Sequence, residues 1–133
     1  MPKLNSLIKT YKNMVASRES DRIESNLVNS GQANFLASSR GHEGSALLNI
    51  FLNENDWLSC HYRDKALMLA RGMTNEQFFY SALCKNESHS AGRQMVSHMS
   101  DRSLNITSIV GPVGNNALQA AGIAKSIKND VGN

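Results

Sequence analysis

The sequence contains only two short segments with the composition of buried β-strands, and each one leads toward a helix-like segment. The first is 57–62, which is rich in aromatic and apolar residues, and the second is 106–110. Two strands do not make a stable sheet, because a sheet with helices on its faces needs further parallel strands. We therefore expect an α/β fold that is mostly helical, with two or so short parallel strands. Residues 1–133 would form a single incomplete domain, completed by another chain or by further sequence.

The composition is that of one ordinary globular domain. The chain has 133 residues, 41% of them apolar, and 14 Lys and Arg against 11 Asp and Glu leave a net charge of +3. The basic residues do not cluster and do not alternate with aromatic residues, so a nucleic-acid-binding surface is not expected. No apolar run reaches the ~18 residues that a membrane span requires. We therefore expect neither nucleic acid nor a membrane as a partner.

The cysteines and the start of the chain indicate a reducing compartment. Cys60 and Cys84 do not have the spacing of a metal site or a redox pair, and we interpret both as thiols of the core. A disulfide framework is therefore not expected. The opening Met-Pro-Lys-Leu-Asn lacks the apolar segment of a secretory signal. We predict a cytoplasmic location, or the mitochondrial matrix in a eukaryote, although no transit peptide is recognised.

An apolar stripe with helical spacing lies near the amino terminus. It predicts an amphipathic helix that buries one face, formed by Leu4, Leu7, Ile8, Tyr11, Met14 and Val15. Residues 17–34 are polar and weakly periodic, so we predict a loop with about one helical turn there. Residues 1–30 are accordingly interpreted as an N-terminal helix and a polar arm.

Capping signals predict the positions of the later helices. Asp64 is expected to be the N-cap of a helix that stops at Gly72. Thr74 and Gln77 have the spacing of a capping box at the start of the next helix. The stretch 85–105 is polar and irregular, and a loop of this length inside a compact domain is commonly functional. Other helices are predicted after Gly41 and over 117–127.

Two motifs at predicted helix starts could bind an anion, and each has an ordinary structural alternative. The glycine-flanked segment 41–44 could hold an anion on free backbone N–H groups, or could simply begin a helix. Arg63 lies between a predicted strand and a predicted helix, which is the edge where α/β sheets bind ligands. Its planar guanidinium could bind a phosphate group, or could form a surface ion pair with Asp64.

Two further segments carry weaker signals. His89 and His98 lie in the long polar loop, but their spacing is not that of zinc ligands. The turn 111–116 has two glycines that would let the backbone approach a flat ligand. Its two asparagines could cap a helix or offer carbonyl oxygens to a cation. The ordinary alternative for this segment is a tight turn between a strand and a helix.

Taken in order, these motifs resemble one family, the alpha subunits of thiamine diphosphate-dependent 2-oxo acid dehydrogenases. The group includes the decarboxylating components for pyruvate and for branched-chain 2-oxo acids, and acetoin dehydrogenase. The resemblance covers residues 31–128, which it identifies as the amino-terminal half of a thiamine diphosphate-binding module. The ordered set is Gly41-His42-Glu43-Gly44, Asp56-Trp57, Tyr62-Arg63-Asp64, Arg71-Gly72, Gly92-Arg93-Gln94-Met95 with His98, and Gly111-Pro112-Val113-Gly114 leading into Gln119-Ala120-Ala121-Gly122.

The resemblance implies roles for individual residues. Tyr62 and Arg63 correspond to contacts with the cofactor diphosphate. Gly111 and Val113 correspond to the backbone contact with the aminopyrimidine and to the apolar support of the bent cofactor. Phe35 falls near the substrate pocket. A monovalent-cation site corresponds to Val110, Pro112, Asn115 and Asn116, although the family usually has Thr and Gln where this chain has the two asparagines.

The resemblance also implies parts that this sequence does not contain. The family holds Mg²⁺ and the diphosphate through a Gly-Asp-Gly motif and a later Asn, and no such motif occurs in the chain. The family's catalytic histidines and the glutamate that activates the aminopyrimidine also lie elsewhere. We therefore expect thiamine diphosphate as cofactor, magnesium ligands supplied from outside this chain, and no catalytic residue within it. The expected partners are the remaining part of the alpha-type subunit, a beta-type subunit and a lipoyl acyltransferase.

The implied activity is decarboxylation of a 2-oxo acid with transfer of the acyl group to lipoamide, by an assembly in which this chain alone is inactive. Two alternatives remain open. A transketolase-like subunit that moves a two-carbon unit would share Gly41-His42. A non-catalytic assembly or regulatory module would present the first helix and the helix over 117–127 to a partner.

Overall fold

The computed structural model describes residues 3–130, and helices dominate this part of the chain. The elements are α1 (Leu4–Asn29), the 3-10 helix η1 (Glu43–Ile50), α2 (Lys65–Arg71), α3 (Asn75–Ala82), the short 3-10 helix η2 (Arg102–Leu104) and α4 (Asn115–Asp130). Helices α1, η1 and α2 pack against one another, and α1 also contacts α3. The prediction of a mostly helical chain is confirmed. In the described part, no helix has both the length and the apolar character needed to cross a bilayer.

The two predicted strands do not form within residues 3–130, so the α/β expectation is not confirmed. Leu58 and Ile106 instead form a single parallel bridge. Its hydrogen bonds run from the Leu58 N–H to the Asn105 carbonyl (2.8 Å) and from the Thr107 N–H to the Leu58 carbonyl (3.0 Å). Ile106 also forms an isolated antiparallel bridge with Asp101. In the described residues neither bridge extends into a strand, because no regular neighbouring strand lies beside it. The segments are therefore parallel neighbours without being strands, which fits a partial domain.

Helix α1 corrects two predictions. It continues to Asn29, so residues 17–29 are helical where a loop was predicted. Most of its apolar stripe is exposed, Leu4 to 71% and Tyr11 to 66%, and only Met14 of the stripe packs against a core cluster. The face turned to the interior is polar and has its own helical spacing: Thr10, Ser17, Ser20, Asp21 and Glu24. The helix can pack by this face because a lysine of α2 meets its two carboxylates.

Lys65, Asp21 and Glu24 form a buried ion cluster between α1 and α2. The Lys65 Nζ lies 2.7 Å from Asp21 Oδ1 and 2.8 Å from Glu24 Oε1, and all three side chains are at most 2% exposed. Burial raises the pKa of Glu24, and the charge and hydrogen bond of Lys65 oppose that shift. Asp21 Oδ2 also accepts hydrogen bonds from the Ser38 hydroxyl and the Ser39 N–H. The cluster therefore joins α1, α2 and the segment before η1.

The apolar core adjoins this cluster, since the Lys65 Nζ lies 5.3 Å from the centroid of the Phe78 ring. It is built from residues of 58–60, α2, α3 and the loop after α3: Leu58, Cys60, Leu67, Met68, Leu69, Met73, Phe78, Met99, Ile106 and Ile109. Burial raises the pKa of the Cys60 thiol to about 12, as expected for a core cysteine. The same prediction was wrong for Cys84, which is exposed. Cys84 has a positive φ of 51° just after α3, where the chain turns away from the core.

The predicted ends of α2 and α3 are confirmed. Gly72 ends α2 with a positive φ of 130°, a conformation that favours glycine. Thr74 and Gln77 form the predicted capping box, with both reciprocal hydrogen bonds present. Asp64 stands at the N-cap of α2 as predicted, but its side chain makes no capping bond. Its carboxylate accepts a hydrogen bond from the His61 N–H instead, at 2.8 Å.

Arg71 connects the two turns that precede the bridged residues Leu58 and Ile106. Its guanidinium donates to the carbonyls of Asn53, Glu54 and Asp56 in one turn, and to that of Leu104 in the other. These are charge-assisted hydrogen bonds, the stronger kind. They hold the turn before Leu58 beside the turn before Ile106, and so fix the register of the bridge.

Replacing Lys65 with Met is expected to destabilise the fold strongly. The substitution keeps the length of the side chain but leaves two buried carboxylates without a counter-charge, which costs about 3–5 kcal/mol of unfolding free energy. The matched control is Arg22→Met, which removes an exposed α1 pair with Glu19 (2.9 Å) and should cost no more than about 0.5 kcal/mol. Denaturant unfolding followed by circular dichroism measures both. Equal losses in the two variants would contradict the role of the cluster.

Candidate functional site

Tyr62 is the centre of a cluster of aromatic and cationic side chains between Leu58 and the start of α2. The His61 ring is tilted against the Tyr62 ring, with centroids 3.8 Å apart. The His98 ring, from the long loop, is stacked on Tyr62 at 5.3 Å. The Arg63 guanidinium carbon lies 5.4 Å from the centroid of the Tyr62 ring, within range of a cation–π contact. Two separate segments therefore meet at this tyrosine.

His98 brings the turn at Gly111 to the same place. Its Nδ1 lies 2.9 Å from the Val96 carbonyl oxygen, which can only accept, so this contact favours a proton on Nδ1. Its Nε2 faces Gly111, since a Cβ placed on that glycine would lie 3.6 Å away, in ordinary van der Waals contact. Of the four residues predicted to bind cofactor, Tyr62 and Gly111 thus lie against His98, and Arg63 lies against Tyr62. Val113 follows two residues later and is 79% exposed.

The cluster has hydrogen-bond donors that its own acceptors do not use. The pKa of His61 is lowered, first by partial burial, while Asp64 opposes the shift. The lowered pKa and the 3.3 Å contact in which His61 Nδ1 accepts the Arg63 backbone N–H both favour a neutral imidazole. The Asp64 carboxylate accepts the His61 backbone N–H and does not pair with the Arg63 guanidinium.

Arg63 is held by a backbone carbonyl and not by an acid. Its Nη1 donates to the carbonyl of Ser38. Among residues 3–130 it forms no salt bridge, so the alternative of an ion pair with Asp64 is not realised. The guanidinium is half-buried, and its Nε and Nη2 have no hydrogen-bond acceptor within the described part of the chain. Those two donors are free for an anion.

The glycine-flanked segment 41–44 begins a helix and does not hold a free anion site. The Gly41 N–H donates to the Glu43 carboxylate at 2.9 Å, and the same carboxylate pairs with Arg18 of α1. The ordinary alternative, a helix start, is therefore the one that the structure favours. These contacts, led by the hydrogen bond from Arg18, lower the pKa of Glu43 to about 2.

The remaining predicted positions lie at the edge of the cluster. Phe35 is 48% exposed and begins the segment 35–39, which has no regular secondary structure and includes Ser38. The four residues assigned to a cation site, Val110, Pro112, Asn115 and Asn116, lie in one turn at the start of α4. The Pro112 carbonyl already accepts the Asn115 N–H (3.3 Å). The Asn116 amide nitrogen points to the Ser59 carbonyl (3.3 Å). The roles of all these residues stay predictions.

The long loop carries the backbone strain of the molecule. In the described part of the chain, every non-glycine residue with a positive φ lies between 84 and 105: Cys84, Ala91, Ser97 and Asn105. Gly92 lies against the Cys84 carbonyl, where a Cβ would approach to 2.5 Å. Such strain persists only where surrounding structure enforces it, and it concentrates at functional sites. Here Val96 and Met99 anchor the loop in the core on either side of His98.

Sequence reasoning missed three contributors to this site. His61 was passed over because it stands alone beside the tyrosine and matches no spacing rule. The Ser38 carbonyl was missed because backbone acceptors leave no signal in a sequence. The ion cluster behind Ser38 was missed because Asp21 and Glu24 were assigned to a loop, although their i, i+3 spacing puts them on one face of a helix.

Comparison with known proteins identifies the family. A family model described as the dehydrogenase E1 component matches residues 11–131. This chain belongs to that family. Similar curated proteins include the 2-oxoisovalerate dehydrogenase subunit alpha of Bacillus subtilis (strain 168), 32% identical over 117 residues, which are 86% of this chain and 36% of that protein.

Two mitochondrial proteins give the same result for this E1 family member. The 2-oxoisovalerate dehydrogenase subunit alpha 1 of Arabidopsis thaliana is 28% identical over 92% of the chain and 26% of its own length. The subunit alpha of Caenorhabditis elegans is 29% identical over 95% of the chain and 30% of its own length. The chain thus spans about a quarter to a third of the curated relatives it matches. The resemblance to alpha subunits of 2-oxo acid dehydrogenases is confirmed.

The ion pair of Glu43 gives a pH dependence that can be measured. Because the folded state keeps this carboxylate ionised to about pH 2, while an unfolded Glu takes up its proton near pH 4.3, stability is lost as pH falls from about 4.5 to about 2. Glu43→Gln should flatten this part of the stability curve, and Arg18→Gln should do the same. Arg102→Gln is the control and should keep the wild-type slope. Denaturant midpoints measured at several pH values decide, and an unchanged slope in Glu43→Gln would refute the assignment.

Proposed function

We propose that this chain forms one wall of the thiamine diphosphate site in an alpha-type subunit of a 2-oxo acid dehydrogenase. The observation that carries the proposal is the meeting of Arg63, Tyr62, His98 and Gly111 in one cluster, in which the Arg63 guanidinium keeps N–H donors without an acceptor in residues 3–130. These residues come from three motifs that are distant in the sequence. The family match and the names of the relatives favour this activity over a transketolase-like one.

The donor set fits a diphosphate group. Arg63 has N–H donors without an acceptor in residues 3–130, and the His61 ring lies beside it, with Nδ1 3.3 Å from the Arg63 backbone nitrogen. A guanidinium matches phosphate oxygens with two parallel hydrogen bonds, which an ammonium group cannot do. No group of three or more His, Cys, Asp and Glu side chains in the described residues could hold a metal ion. The Mg²⁺ that we propose would therefore take its protein ligands from outside this part of the chain.

The residues of this chain would bind and orient the cofactor, while the chemistry comes from the cofactor itself. When bound, thiamine diphosphate supplies a nucleophilic thiazolium carbon and an electron sink for decarboxylation of a 2-oxo acid. Arg63 and Tyr62 would hold the diphosphate end. The backbone at Gly111 and the side chain of Val113 would support the aminopyrimidine end, and Phe35 would face the substrate. No side chain of residues 3–130 is assigned a proton transfer.

The proposed assembly includes the remaining part of the alpha-type subunit, a beta-type subunit and a lipoyl acyltransferase that receives the acyl group. The single parallel bridge between Leu58 and Ile106 supports this view, since it would extend into a parallel sheet once neighbouring strands are present. The long loop would then lie at the edge of that sheet. A cytoplasmic or mitochondrial-matrix location is part of the same proposal.

A non-catalytic module is the second candidate function, and the exposed apolar residues of two helices favour it. Leu4 and Tyr11 of α1 and Leu118 of α4 are all more than 60% exposed, as a protein-binding module would require. In that case the assembly would form but Arg63 would be dispensable for its biological output. The two candidates therefore differ in their dependence on Arg63.

Arg63→Ala is expected to weaken the binding of thiamine diphosphate about thirtyfold, or ~2 kcal/mol, as for the loss of a charged hydrogen bond. The measurement is calorimetric titration of thiamine diphosphate with Mg²⁺ into the chain purified together with its partner chains. Arg102→Ala, which removes the same charge from an exposed site, is the control and should bind like the wild type. We expect negligible binding to this chain alone. Wild-type affinity in the Arg63→Ala assembly would contradict the proposal, and an assembly that binds no cofactor would favour the non-catalytic module.

A further inference from the structure

A cavity of about 410 Å³ lies between the outer side of α1 and the segment 36–40, and the proposed cofactor site does not use it. The volume is in the range of small-molecule sites. Helix α1 and the facing segment line it with nine residues: Arg18, Glu19, Asp21, Arg22, Ser25, Asn26, Leu36, Ser38 and Arg40. The spacing of 18, 22 and 26 puts three polar side chains on one helix face. Three of the nine lining residues are arginines and two, Glu19 and Asp21, are acidic.

The acidic residues beside the cavity do not neutralise all of this charge. Asp21 lies at its wall, but both oxygens of that carboxylate are occupied by Lys65, Ser38 and Ser39. Arg40 lines the cavity, and its side chain forms no salt bridge or hydrogen bond within the described part of the chain. At least one guanidinium is therefore available to a ligand without the loss of any existing contact.

The two other arginines are in ion pairs, and the pair of Arg22 can rearrange. Arg22 pairs with Glu19 at 2.9 Å, and both side chains are more than half exposed. An exposed pair of this kind contributes little, because solvent screens the charges and two long side chains must be ordered. Arg18 stays paired with Glu43, whose side chain is only 14% exposed. A ligand with several negative charges could therefore draw the Arg22 guanidinium toward the cavity, beside Arg40.

We propose that this cavity binds a small organic polyanion, with carboxylate or phosphate groups on a short carbon skeleton. The arginines provide planar donors for the anionic groups, and Leu36 provides an apolar contact for the skeleton. The volume exceeds what a bare inorganic ion needs. The site is distinct from the one proposed for the cofactor. Ser38 shows the separation, since its side chain lines the cavity while its carbonyl accepts the hydrogen bond of Arg63.

The test is calorimetric titration of the chain with citrate as the carboxylate probe and with fructose 1,6-bisphosphate as the phosphate probe. Ionic strength is held at a physiological value, so that general attraction to a basic protein is screened. At least one probe should bind the wild type below about 1 mM. Its affinity should fall at least tenfold in Arg40→Gln and in Arg22→Gln, and should persist in Arg63→Ala. The probe that binds identifies the anionic group.

Arg102→Gln is the matched control, because it removes the same charge from an exposed position that does not line the cavity. It should bind the probe like the wild type. Circular dichroism checks that each variant folds. Failure of both probes to bind, or an equal loss of affinity in Arg102→Gln and Arg40→Gln, would overturn the proposal. Loss in Arg63→Ala alone would assign the binding to the cofactor site.

Discussion

The ammonium group of Lys65, buried between Asp21 and Glu24, is the interaction on which the arrangement of this chain depends. It allows α1 to pack by a polar face, because it compensates most of the cost of removing two carboxylates from water. The same Asp21 carboxylate holds Ser38 and Ser39, and Ser38 in turn accepts the hydrogen bond of Arg63. A series of direct contacts thus connects the inner face of the longest helix to the guanidinium proposed to bind diphosphate.

Because the proposed site depends on contacts between distant segments, no single sequence motif predicts it. Arg63 needs a backbone acceptor that keeps its other donors free, and the segment at Ser38, which Asp21 holds in place, supplies one. His98 needs a strained loop to reach the Tyr62 ring, and Val96 and Met99 fix that loop in the core. Each residue alone matches many proteins. Together they place the Arg63 guanidinium, with hydrogen-bond donors to spare, beside the Tyr62 ring, an arrangement that suits an anionic cofactor.

Local structure was predictable from the sequence wherever it depends on neighbouring residues. The capping box at Thr74, the stop at Gly72 and the irregular stretch after α3 follow from local chemistry, and the structure has all three. The face of α1 was not predictable in this way, since a polar stripe is buried only if a distant lysine neutralises it. The strands at 57–62 and 106–110 were predicted from composition, but a strand also needs neighbours. The ordered motifs predicted the family, whereas the contact between Ser38 and Arg63 could be found only in the folded structure.

The most direct test of the central claim is the hydrogen–deuterium exchange of the Ser39 backbone amide. This N–H donates to the buried Asp21 carboxylate, in a segment that has no regular secondary structure. If the ion cluster orders the segment, the amide should exchange as slowly as amides in the buried part of α2, because both open only when the cluster breaks. Exchange as fast as that of an exposed loop amide would show that the cluster does not hold this segment, and would contradict the account.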